Sequence, residues 1–493
     1  MKHKPTSEQV RIFKYIKDRP ENILIKAFAG CGKTSTVIEG IKYIPSHKSV
    51  TYLAFNRHIK EEVVDILPKH VRCYTTYGIG LAALKKVYND IEFDEFKIDK
   101  IIKATSSKWD LDEDFKTKPE IDEYLTSMKQ LVNLCRLTLT LKPDYVPVLA
   151  ARHEIIFKKD RDLKRLMKLM EICMADRTYF DYTDMIFLPA IDTKIWFYQQ
   201  DYVVVDEVQD LNMCQIRIVE KVLKRSRKTK KIMGRLIAVG DAFQNIYGFN
   251  GCTEKSFEWF EKLPNTQKLM LSTSFRCSKN VIKKAQTIVP DINALENAPE
   301  GVVRDGDVLS EAQDGDFVLC RSTAPLIELF FEILGDDKKV MIKGSDVGLS
   351  LIRLIGKFQN IENLINHWND EIIKFSKELR DSGILDPREH TGFVALDDKV
   401  RALNFLAKKC TTIPELISKI NSIFSDDLQG IVLSTVHKVK GLEANRVFII
   451  RPDLLPLQNV KEEWQYQQEK NLEYVAYTRA RHELIFDRVW TNE

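Results

Sequence analysis

A glycine-rich segment near the start of the chain has the residue types of a phosphate-binding loop. It reads AFAGCGKTS over residues 27–35 and follows the apolar run ENILIKA, which we predict to be a buried strand. Between a strand and a helix, the backbone N–H groups of such a loop surround phosphate oxygens, its lysine binds the β- and γ-phosphates and its hydroxyl residue binds magnesium. Ala27 stands where the general pattern has glycine, but the GxGKT core is intact. The segment therefore predicts a nucleoside triphosphate site formed by Ala29, Gly30, Cys31, Gly32, Lys33, Thr34 and Ser35.

An acidic pair follows a second strand-like run and supplies groups that the loop lacks. Residues 201–210 read DYVVVDEVQD, in which the apolar run ends at Asp206 and Glu207. One carboxylate is a suitable magnesium ligand, and a second can activate a water molecule for attack on phosphorus. We therefore predict that Thr34 and Asp206 bind Mg²⁺ and that Glu207 polarises the attacking water. The combination is still generic, because it fits helicases, other DNA-dependent ATPases and many other phosphate-loop enzymes.

The composition is that of a globular protein. Of the 493 residues, 44% are hydrophobic and 30% are charged, and the net charge of +4 is nearly balanced, so any nucleic-acid site must be local. No apolar stretch approaches the ~20 residues that span a bilayer, and the first ten residues lack the apolar core of a signal peptide. We expect a cytoplasmic protein of a bacterium or a phage-infected host cell, without a membrane partner. Nine scattered cysteines without a CxxC pair argue against a zinc site or a disulfide framework.

Short apolar runs predict two α/β cores. Such runs, nearly continuous and rich in Val, Ile and aromatic residues, suit parallel strands that are buried on both faces. They are SVTYLAF (49–55), DYVVVDE (201–207), RLIAVGD (235–241), GDFVLCR (315–321), IVLSTVH (431–437) and RVFII (446–450). Long, charged segments with a helical period interrupt them between residues 77 and 187 and between about 347 and 424. The alternative is one large doubly wound sheet, which leaves the helical segments unexplained.

Further motifs resemble, in order, those of the UvrD/Rep family of superfamily 1 DNA helicases, in its compact phage-like or F-box-helicase-like branch. They extend over nearly the whole chain, from Gln9 to Arg479. They are TSEQVRIF (6–13), YLAFNRHIKEEV (52–63), VGDAFQNIYGFNG (239–251), LSTSFRC (271–277), TVHKVKGLE (435–443) and LEYVAYTRA (472–480). The resemblance implies two RecA-like motor domains with parallel sheets, each carrying a mainly helical insertion. The first would comprise residues 1–85 and 188–275 with the insertion 86–187, and the second 276–346 and 425–493 with the insertion 347–424.

The resemblance also assigns nucleotide-site roles beyond the two motifs above. Gln9 would read adenine through its amide, Phe275 would stack on the base, and Glu443 would contribute to the nucleotide site. Gln244 would sense the γ-phosphate. Arg276 and Arg479 would act as arginine fingers, a device worth on the order of 10³ to 10⁵ in rate. The catalytic set is therefore Lys33, Asp206, Glu207, Gln244, Arg276 and Arg479, with ATP and Mg²⁺ as cofactors.

The same comparison assigns residues to DNA. Aromatic faces can stack on bases without reading sequence, as a translocating enzyme requires. The implied DNA-binding set is Phe55, Asn56, Arg57, Tyr77, Tyr247, Phe249 and His437. The sequence departs from the family at Tyr77, Ser274 and Asn250, of which the first two stand where relatives carry histidine and asparagine and the third where they carry arginine. None of these departures removes a predicted catalytic group.

The function implied is an ATP-dependent DNA helicase that translocates on single-stranded DNA and unwinds duplex during replication, recombination or repair. The motif KGLE with YVAYTRA resembles the 3′ to 5′ branch. Two alternatives remain, namely a translocase that strips proteins from single strands and an ATP-gated adaptor in a replication or defence complex. Expected partners are single-stranded and forked DNA and replication or recombination proteins. The basic run KVLKRSRKTKK (221–231) is either a solvated helix end and loop or a DNA-facing patch.

Overall fold

Two compact units make up the chain in a computed structural model. The first comprises residues 1–27 and 32–271, and the second comprises residues 28–31 and 272–493. The structure describes residues 4–88, 90–111, 118–153, 155, 157, 159–246, 248, 251, 254–335, 338–381, 384–425, 429–457, 460 and 462–488. Within these ranges, every helix is too short or too polar to cross a bilayer.

The strands are short, as expected for an α/β protein. They are β1 (Asn22–Ala27), β2 (Val50–Ala54), β3 (Val71–Thr75), β4 (Glu92–Phe93), β5 (Tyr179–Phe180), β6 (Tyr202–Val205), β7 (Arg235–Gly240), β8 (Thr266–Leu271), β9 (Thr273–Ser274), β10 (Asn293–Ala294), β11 (Val302–Gly306), β12 (Phe317–Cys320), β13 (Val340–Lys343), β14 (Phe424–Ser425), β15 (Ile431–Thr435), β16 (Ala444–Ile450) and β17 (Ala480–Asp487).

The first unit is built on a six-stranded sheet with the order β3-β2-β6-β7-β1-β8. All five neighbouring pairs are parallel, so the carboxyl ends of the strands meet at one edge. Every residue of β2 and β7 is buried, which agrees with strands covered on both faces. The helices beside this sheet are Ser7–Asp18, Lys33–Ile41, Arg57–Val64, Thr76–Leu84, Asp184–Ile191, Met213–Val222 and Glu254–Lys262.

Among the described residues, four further helices interrupt the first unit between β4 and β5. They are Lys97–Ser106, Lys118–Thr138, Val146–Arg152 and Lys159–Ala175. Their apolar residues share one hydrophobic core with the sheet, which includes Leu131 of the second helix and Val203 of β6. A buried ion-pair network also ties them to the unit, because the Arg136 guanidinium binds Asp181 and Asp184 at 2.6 and 2.7 Å. The insertion therefore packs as part of the first unit.

The second unit contains a seven-stranded parallel sheet with the order β11-β17-β16-β12-β15-β13-β14. Four helices between β13 and β14 form its insertion and pack on the core of this sheet. They are Ser345–Ile355, Ile361–Asp381, Thr391–Ala407 and Ile413–Ile423. The remaining helices are Lys279–Ala285, Val308–Glu311, Ala324–Gly335 and Glu463–Tyr477.

The predicted fold class is confirmed, and the alternative of one doubly wound sheet is wrong. Each of the six strand-like runs forms all or part of a strand, since each supplies apolar residues that both faces of a parallel sheet can bury. None of the predicted runs covers β3, β8, β11, β13 or β17. In β3, for example, only half-buried and exposed residues occur, so its apolar signal is weak.

Candidate nucleotide site and nucleic-acid cleft

The phosphate-loop sequence leads directly into a helix. Gly32 is the N-cap of the helix Lys33–Ile41 and has φ 71°, a left-handed conformation that glycine adopts without steric cost. The first backbone N–H groups of a helix have no partner within the helix, and its dipole attracts anions. The loop is therefore suited to hold phosphate oxygens. Ser35 is exposed on the first turn of this helix.

Lys33 and Thr34 each contact one member of the acidic pair. The Lys33 Nζ donates a hydrogen bond to Glu207 Oε2 at 2.9 Å, and the Thr34 hydroxyl donates to Asp206 Oδ2 at 2.8 Å. Burial opposes the charge of Lys33, but the nearby carboxylates of Glu207, Asp241 and Asp206 outweigh it and raise the pKa of the lysine. Residues that are far apart in sequence thus meet at the carboxyl edge of the first sheet.

The acidic pair has an unusual backbone. Glu207 has φ 52° and lies in the left-handed region, which is uncommon for a residue with a side chain and concentrates at functional sites. Asp206 is fully buried, and burial followed by repulsion from Glu207 raises the pKa of its carboxyl. A buried carboxylate beside the Thr34 hydroxyl offers the hard oxygen donors that Mg²⁺ prefers, and Mg²⁺ usually needs only one or two carboxylates in addition to substrate phosphates. The residues present therefore fit a magnesium ion.

A hydrogen-bonded chain leads away from Glu207. The Gln209 amide donates to Glu207 Oε2 at 2.6 Å and to Asp210 Oδ2 at 3.3 Å, and its carbonyl oxygen accepts the backbone N–H of Asp241 at 3.0 Å. Gln244, which is buried, donates to Asp241 Oδ2 at 2.7 Å. Burial raises the pKa of Asp241 to about 6 although Lys33 opposes the shift. The predicted γ-phosphate sensor therefore lies in the same network as the acidic pair.

Gln9 makes specific contacts within the first unit. It is 4% exposed, its Oε1 accepts the Thr6 backbone N–H at 3.0 Å, and its Nε2 donates to the Thr36 hydroxyl at 2.8 Å. Thr36 lies on the phosphate-loop helix. An amide group has two donor hydrogens and two acceptor lone pairs, so one of each remains for another partner.

The two predicted arginine fingers lie close together in the second unit. Arg479 is only 1% exposed, and its guanidinium donates to the carbonyl oxygens of Val475 and Leu442, both at 2.9 Å. Burial, together with repulsion from Arg276, lowers the pKa of Arg479 to about 9. Arg276 is half-buried and forms an ion pair with Glu443. Burial opposes the charge of Glu443, but Arg276 and Arg481 outweigh it and lower the pKa of this carboxyl.

Residues 28–31 of the phosphate-loop sequence belong to the second unit and contact its residues. The Ala29 N–H donates to the Tyr474 hydroxyl at 2.8 Å, and the Phe275 N–H donates to the Gly30 carbonyl at 2.9 Å. Gly30 has φ 72°, and a Cβ there would lie 2.5 Å from Ser274 Oγ. Glycine is therefore required at this position, and Cys31 beside it is buried.

Most of the predicted DNA-binding residues of the first unit line one cleft of about 670 Å³. The lining includes Phe55, Asn56, Arg57 and Tyr77, together with Gln130, Asn133 and Leu137 of the insertion helix Lys118–Thr138. Asp210, the end of the hydrogen-bonded chain from Glu207, lines the cleft too. The cleft combines aromatic rings with amide and guanidinium donors, as nucleic-acid sites do.

The other three predicted DNA contacts are Tyr247, Phe249 and His437. Tyr247 and Phe249 lie outside the described residues. His437 belongs to the second unit and is half-buried. Burial, with the positive charges of Arg321, Lys438 and Lys440 adding to it, lowers the pKa of His437 to about 3, so its imidazole is neutral near pH 7.

Several residues of these sites were not predicted from the sequence. The Tyr52 hydroxyl donates to Asp206 Oδ2 at 2.7 Å from the neighbouring strand β2. A tyrosine in the middle of a fully buried run is a signal that could have revealed it, because a buried hydroxyl needs a partner. The insertion residues Gln130 and Asn133 carry no such signal, since polar residues on a charged helix are ordinarily exposed.

Family models cover most of the chain. The model of the UvrD/REP helicase N-terminal domain matches residues 8–265, and that of the UvrD-like helicase C-terminal domain matches residues 350–489. The first match spans the phosphate loop, the acidic pair and the cleft, and the second spans Arg479. The predicted resemblance is therefore confirmed.

Individual proteins that are similar to this chain are also DNA helicases by name. F-box DNA helicase 1 of Gallus gallus is 25% identical over 525 residues, which cover 98% of this chain and 49% of that protein. F-box DNA helicase protein 1 of Schizosaccharomyces pombe is 25% identical over 535 residues, 98% of this chain and 57% of that protein. ATP-dependent DNA helicase Rep of Escherichia coli is 26% identical over 290 residues, 54% of this chain and 41% of that protein. The chain spans about half the length of these relatives. Because one family model alone matches more than half of the 493 residues, this chain belongs to the UvrD/Rep helicase family.

Proposed function

We propose that this protein is an ATP-dependent DNA helicase that translocates 3′ to 5′ on single-stranded DNA. The observation that carries the proposal is the chain of contacts from Lys33 through Glu207 and Gln209 to Asp210, which lines the aromatic cleft. Hydrogen-bonded side chains that join a phosphate loop to a nucleic-acid cleft provide a physical route by which a bound strand can affect the nucleotide site. The family membership supports the same activity.

The residues have separate tasks in hydrolysis. Glu207 accepts the proton of the attacking water, and Lys33 and the loop N–H groups hold the phosphate oxygens. Thr34 and Asp206 would hold Mg²⁺, which would neutralise charge on the phosphate oxygens. Gln9 binds the adenine edge, Phe275 stacks on the base, and Gln244 detects the γ-phosphate through Asp241. Arg276 and Arg479 stabilise the charge that develops during phosphoryl transfer, with Glu443 orienting Arg276.

Movement along the strand would follow if bound ATP contacts residues of both units. Lys33, Asp206 and Glu207 belong to the first unit, and Arg276 and Arg479 belong to the second. ATP would bring the two sets together, and hydrolysis would release them. Phe55 and Tyr77, with Tyr247 and Phe249, would grip bases while this cycle moves the strand, and Asn56, Arg57 and His437 would contact its backbone.

One experiment tests the central claim. ATP turnover is measured with and without oligo-dT at saturating Mg²⁺. We expect strong stimulation by the oligonucleotide. Turnover that does not respond to single-stranded DNA would favour an ATP-gated adaptor instead. Forked duplexes with a 3′ or a 5′ tail then establish polarity, and displacement of a DNA-bound protein without unwinding would identify a protein-stripping translocase.

Loss of the aromatic face at Tyr77 is expected to weaken strand binding. Tyr77→Leu keeps an apolar side chain against the core but removes the ring, and a base–aromatic stack is worth roughly 1–3 kcal/mol. Affinity for oligo-dT should therefore fall about 5- to 150-fold, measured by fluorescence anisotropy. Tyr145→Leu, at a residue that is 61% exposed and outside the cleft lining, is the control. Equal affinities of the two variants would exclude Tyr77 as a stacking residue.

The hydroxyl of Tyr52 is expected to position Asp206. Tyr52→Phe retains the buried ring but removes the 2.7 Å hydrogen bond to the carboxylate. Groups that orient a metal ligand typically contribute 10- to 100-fold to metal affinity or activity. The Mg²⁺ concentration that half-saturates binding of a fluorescent ATP analogue should rise about tenfold. Tyr74→Phe on the adjacent strand β3 is the control, and an unchanged Mg²⁺ requirement in Tyr52→Phe would contradict the assignment.

A further inference from the structure

The amino ends of the strands in the first sheet carry a basic surface that the helicase mechanism does not use. In a parallel sheet these ends lie at the edge opposite the carboxyl ends, where the phosphate loop and acidic pair are located. We define the amino-edge surface by Arg72, Arg227, Lys228, Lys230 and Lys231. Each of these side chains is exposed.

The basic run 221–231 is an ordered part of this edge. The helix Met213–Val222 ends within it, and the chain then turns back on itself, with the Ser226 N–H donating to Lys231 O at 2.9 Å and the Lys230 N–H donating to Ser226 O at 3.0 Å. Backbone bonds join the start of the turn to Gln200, which accepts the Lys224 N–H at 3.0 Å. The turn is therefore held at the amino end of β6.

A polar cleft of about 640 Å³ lies beside the turn. Its lining includes His47, Lys48, His70, Arg72 and Gln200. The lining thus includes several hydrogen-bond donors and two histidines, and Arg72 of the amino-edge surface belongs to it. The backbone bonds at Gln200 connect this cleft with the turn, so the two features form one continuous basic region.

The basic run of the amino-edge surface has an excess of positive charge. Seven of the eleven residues 221–231 are Lys or Arg and none is acidic. Asp201 is the carboxylate next to the turn, and it is already engaged by the Ser49 hydroxyl at 3.0 Å and by Lys224 at 2.7 Å. Among the residues that the structure describes, Arg72, Arg227, Lys228, Lys230 and Lys231 form no ion pair. Clustered like charges repel one another, so an anionic partner would stabilise this arrangement.

We infer that the amino-edge surface binds the phosphate backbone of duplex DNA, separately from the strand in the aromatic cleft. Trp196 and Tyr198 nearby pack edge to face at 5.1 Å, and Lys86 Nζ lies 4.2 and 3.7 Å from their ring centroids, so a cation covers one face of each ring. The residues that define the amino-edge surface are all cationic. A cluster of exposed cations suits a duplex, whose bases are already stacked and whose two strands present a dense row of phosphates.

The test compares two variants that lose the same charges. Arg227→Gln with Lys228→Gln and Lys231→Gln removes three charges from the surface. Arg353→Gln with Lys357→Gln and Lys377→Gln is the control, which removes one arginine and two lysines from exposed positions in the insertion of the second unit. Anisotropy of a labelled blunt duplex of about 20 base pairs, two helical turns, is measured over a range of salt concentrations. Oligo-dT-stimulated ATP turnover is measured in parallel.

Each phosphate contact contributes about 0.9 to the slope of log affinity against log salt. For the surface variant, we expect the magnitude of this slope to be smaller by roughly 2 to 3 than for the unsubstituted protein. We also expect its affinity for duplex at low salt to be about tenfold lower. Its oligo-dT-stimulated turnover should match that of the unsubstituted protein, which shows that it is folded. A slope equal to that of the control variant would overturn the inference. Binding of a labelled polyglutamate peptide is measured for the same two variants. If the surface variant loses polyglutamate binding but keeps duplex binding, the inference is overturned and an acidic protein segment is the partner.

Discussion

Glu207→Gln is expected to lower the turnover number for ATP by about 10² to 10⁴, the usual contribution of a general base. The amide cannot accept a proton from water at neutral pH, but it has nearly the same shape as the carboxylate. It can also keep a hydrogen bond with the Gln209 side chain, which lies 2.6 Å from Glu207 Oε2. We expect ATP binding and oligo-dT binding to remain, so that the loss appears in the chemical step alone.

The rate of single-turnover hydrolysis measures the loss in the chemical step, and a nucleotide-binding assay shows whether ATP binding is retained. Glu39→Gln is the matched control, because Glu39 lies on the phosphate-loop helix and pairs with the exposed Lys42. Lys33→Ala provides a contrast, since it removes the cation that contacts Glu207 and should abolish turnover through loss of phosphate contacts. Turnover by Glu207→Gln within about tenfold of the unsubstituted protein would rule out Glu207 as the base.

Arg276→Ala is expected to reduce turnover by about 10³-fold or more, within the range for an arginine finger. Arg276 pairs with Glu443, so its removal also changes the balance of charge at that carboxylate. Arg276→Lys should restore only part of the rate, because an ammonium group keeps the charge but cannot reproduce the planar guanidinium fork. Binding of oligo-dT should be unaffected.

Arg481→Ala distinguishes loss of the arginine finger from loss of an ion pair with Glu443. Arg481 also pairs with Glu443 but is about half exposed. We expect Arg481→Ala to turn over ATP at nearly the normal rate. A loss as large as that of Arg276→Ala would show that the pairing of Glu443, rather than contact of Arg276 with phosphate, limits the reaction.

Much of the fold could be predicted because its signals are local. A strand such as Tyr202–Val205 is a continuous apolar run, and the run alone indicates burial on both faces. The loop before Lys33 is recognisable because glycines are needed where the backbone turns, as Gly30 and Gly32 show. Strand β3 was missed because its residues are only partly buried, so the periodicity that marks a strand is absent.

The side-chain partners of the site could not be predicted from local pattern. Tyr52 reaches Asp206 only because β2 lies beside β6 in the sheet, an order that the chain sequence does not state. The contacts of Gln9 with both Thr6 and Thr36 likewise depend on how two helices pack. The basic run 221–231 illustrates the same limit. Its charge is evident from composition, but its location opposite the nucleotide site follows from strand direction.

By itself, the sequence determined the family, the α/β class, and the phosphate loop with its acidic pair, because each depends on residue types at close spacing. The tertiary structure alone decided which distant groups meet. It brought Lys33 to Glu207 and Gln209 to Asp241, and it brought insertion residues such as Asn133 into the cleft lining. The physical reason is that hydrogen bonds act over about 3 Å, and only strand order and helix packing bring residues so far apart in the chain within that distance.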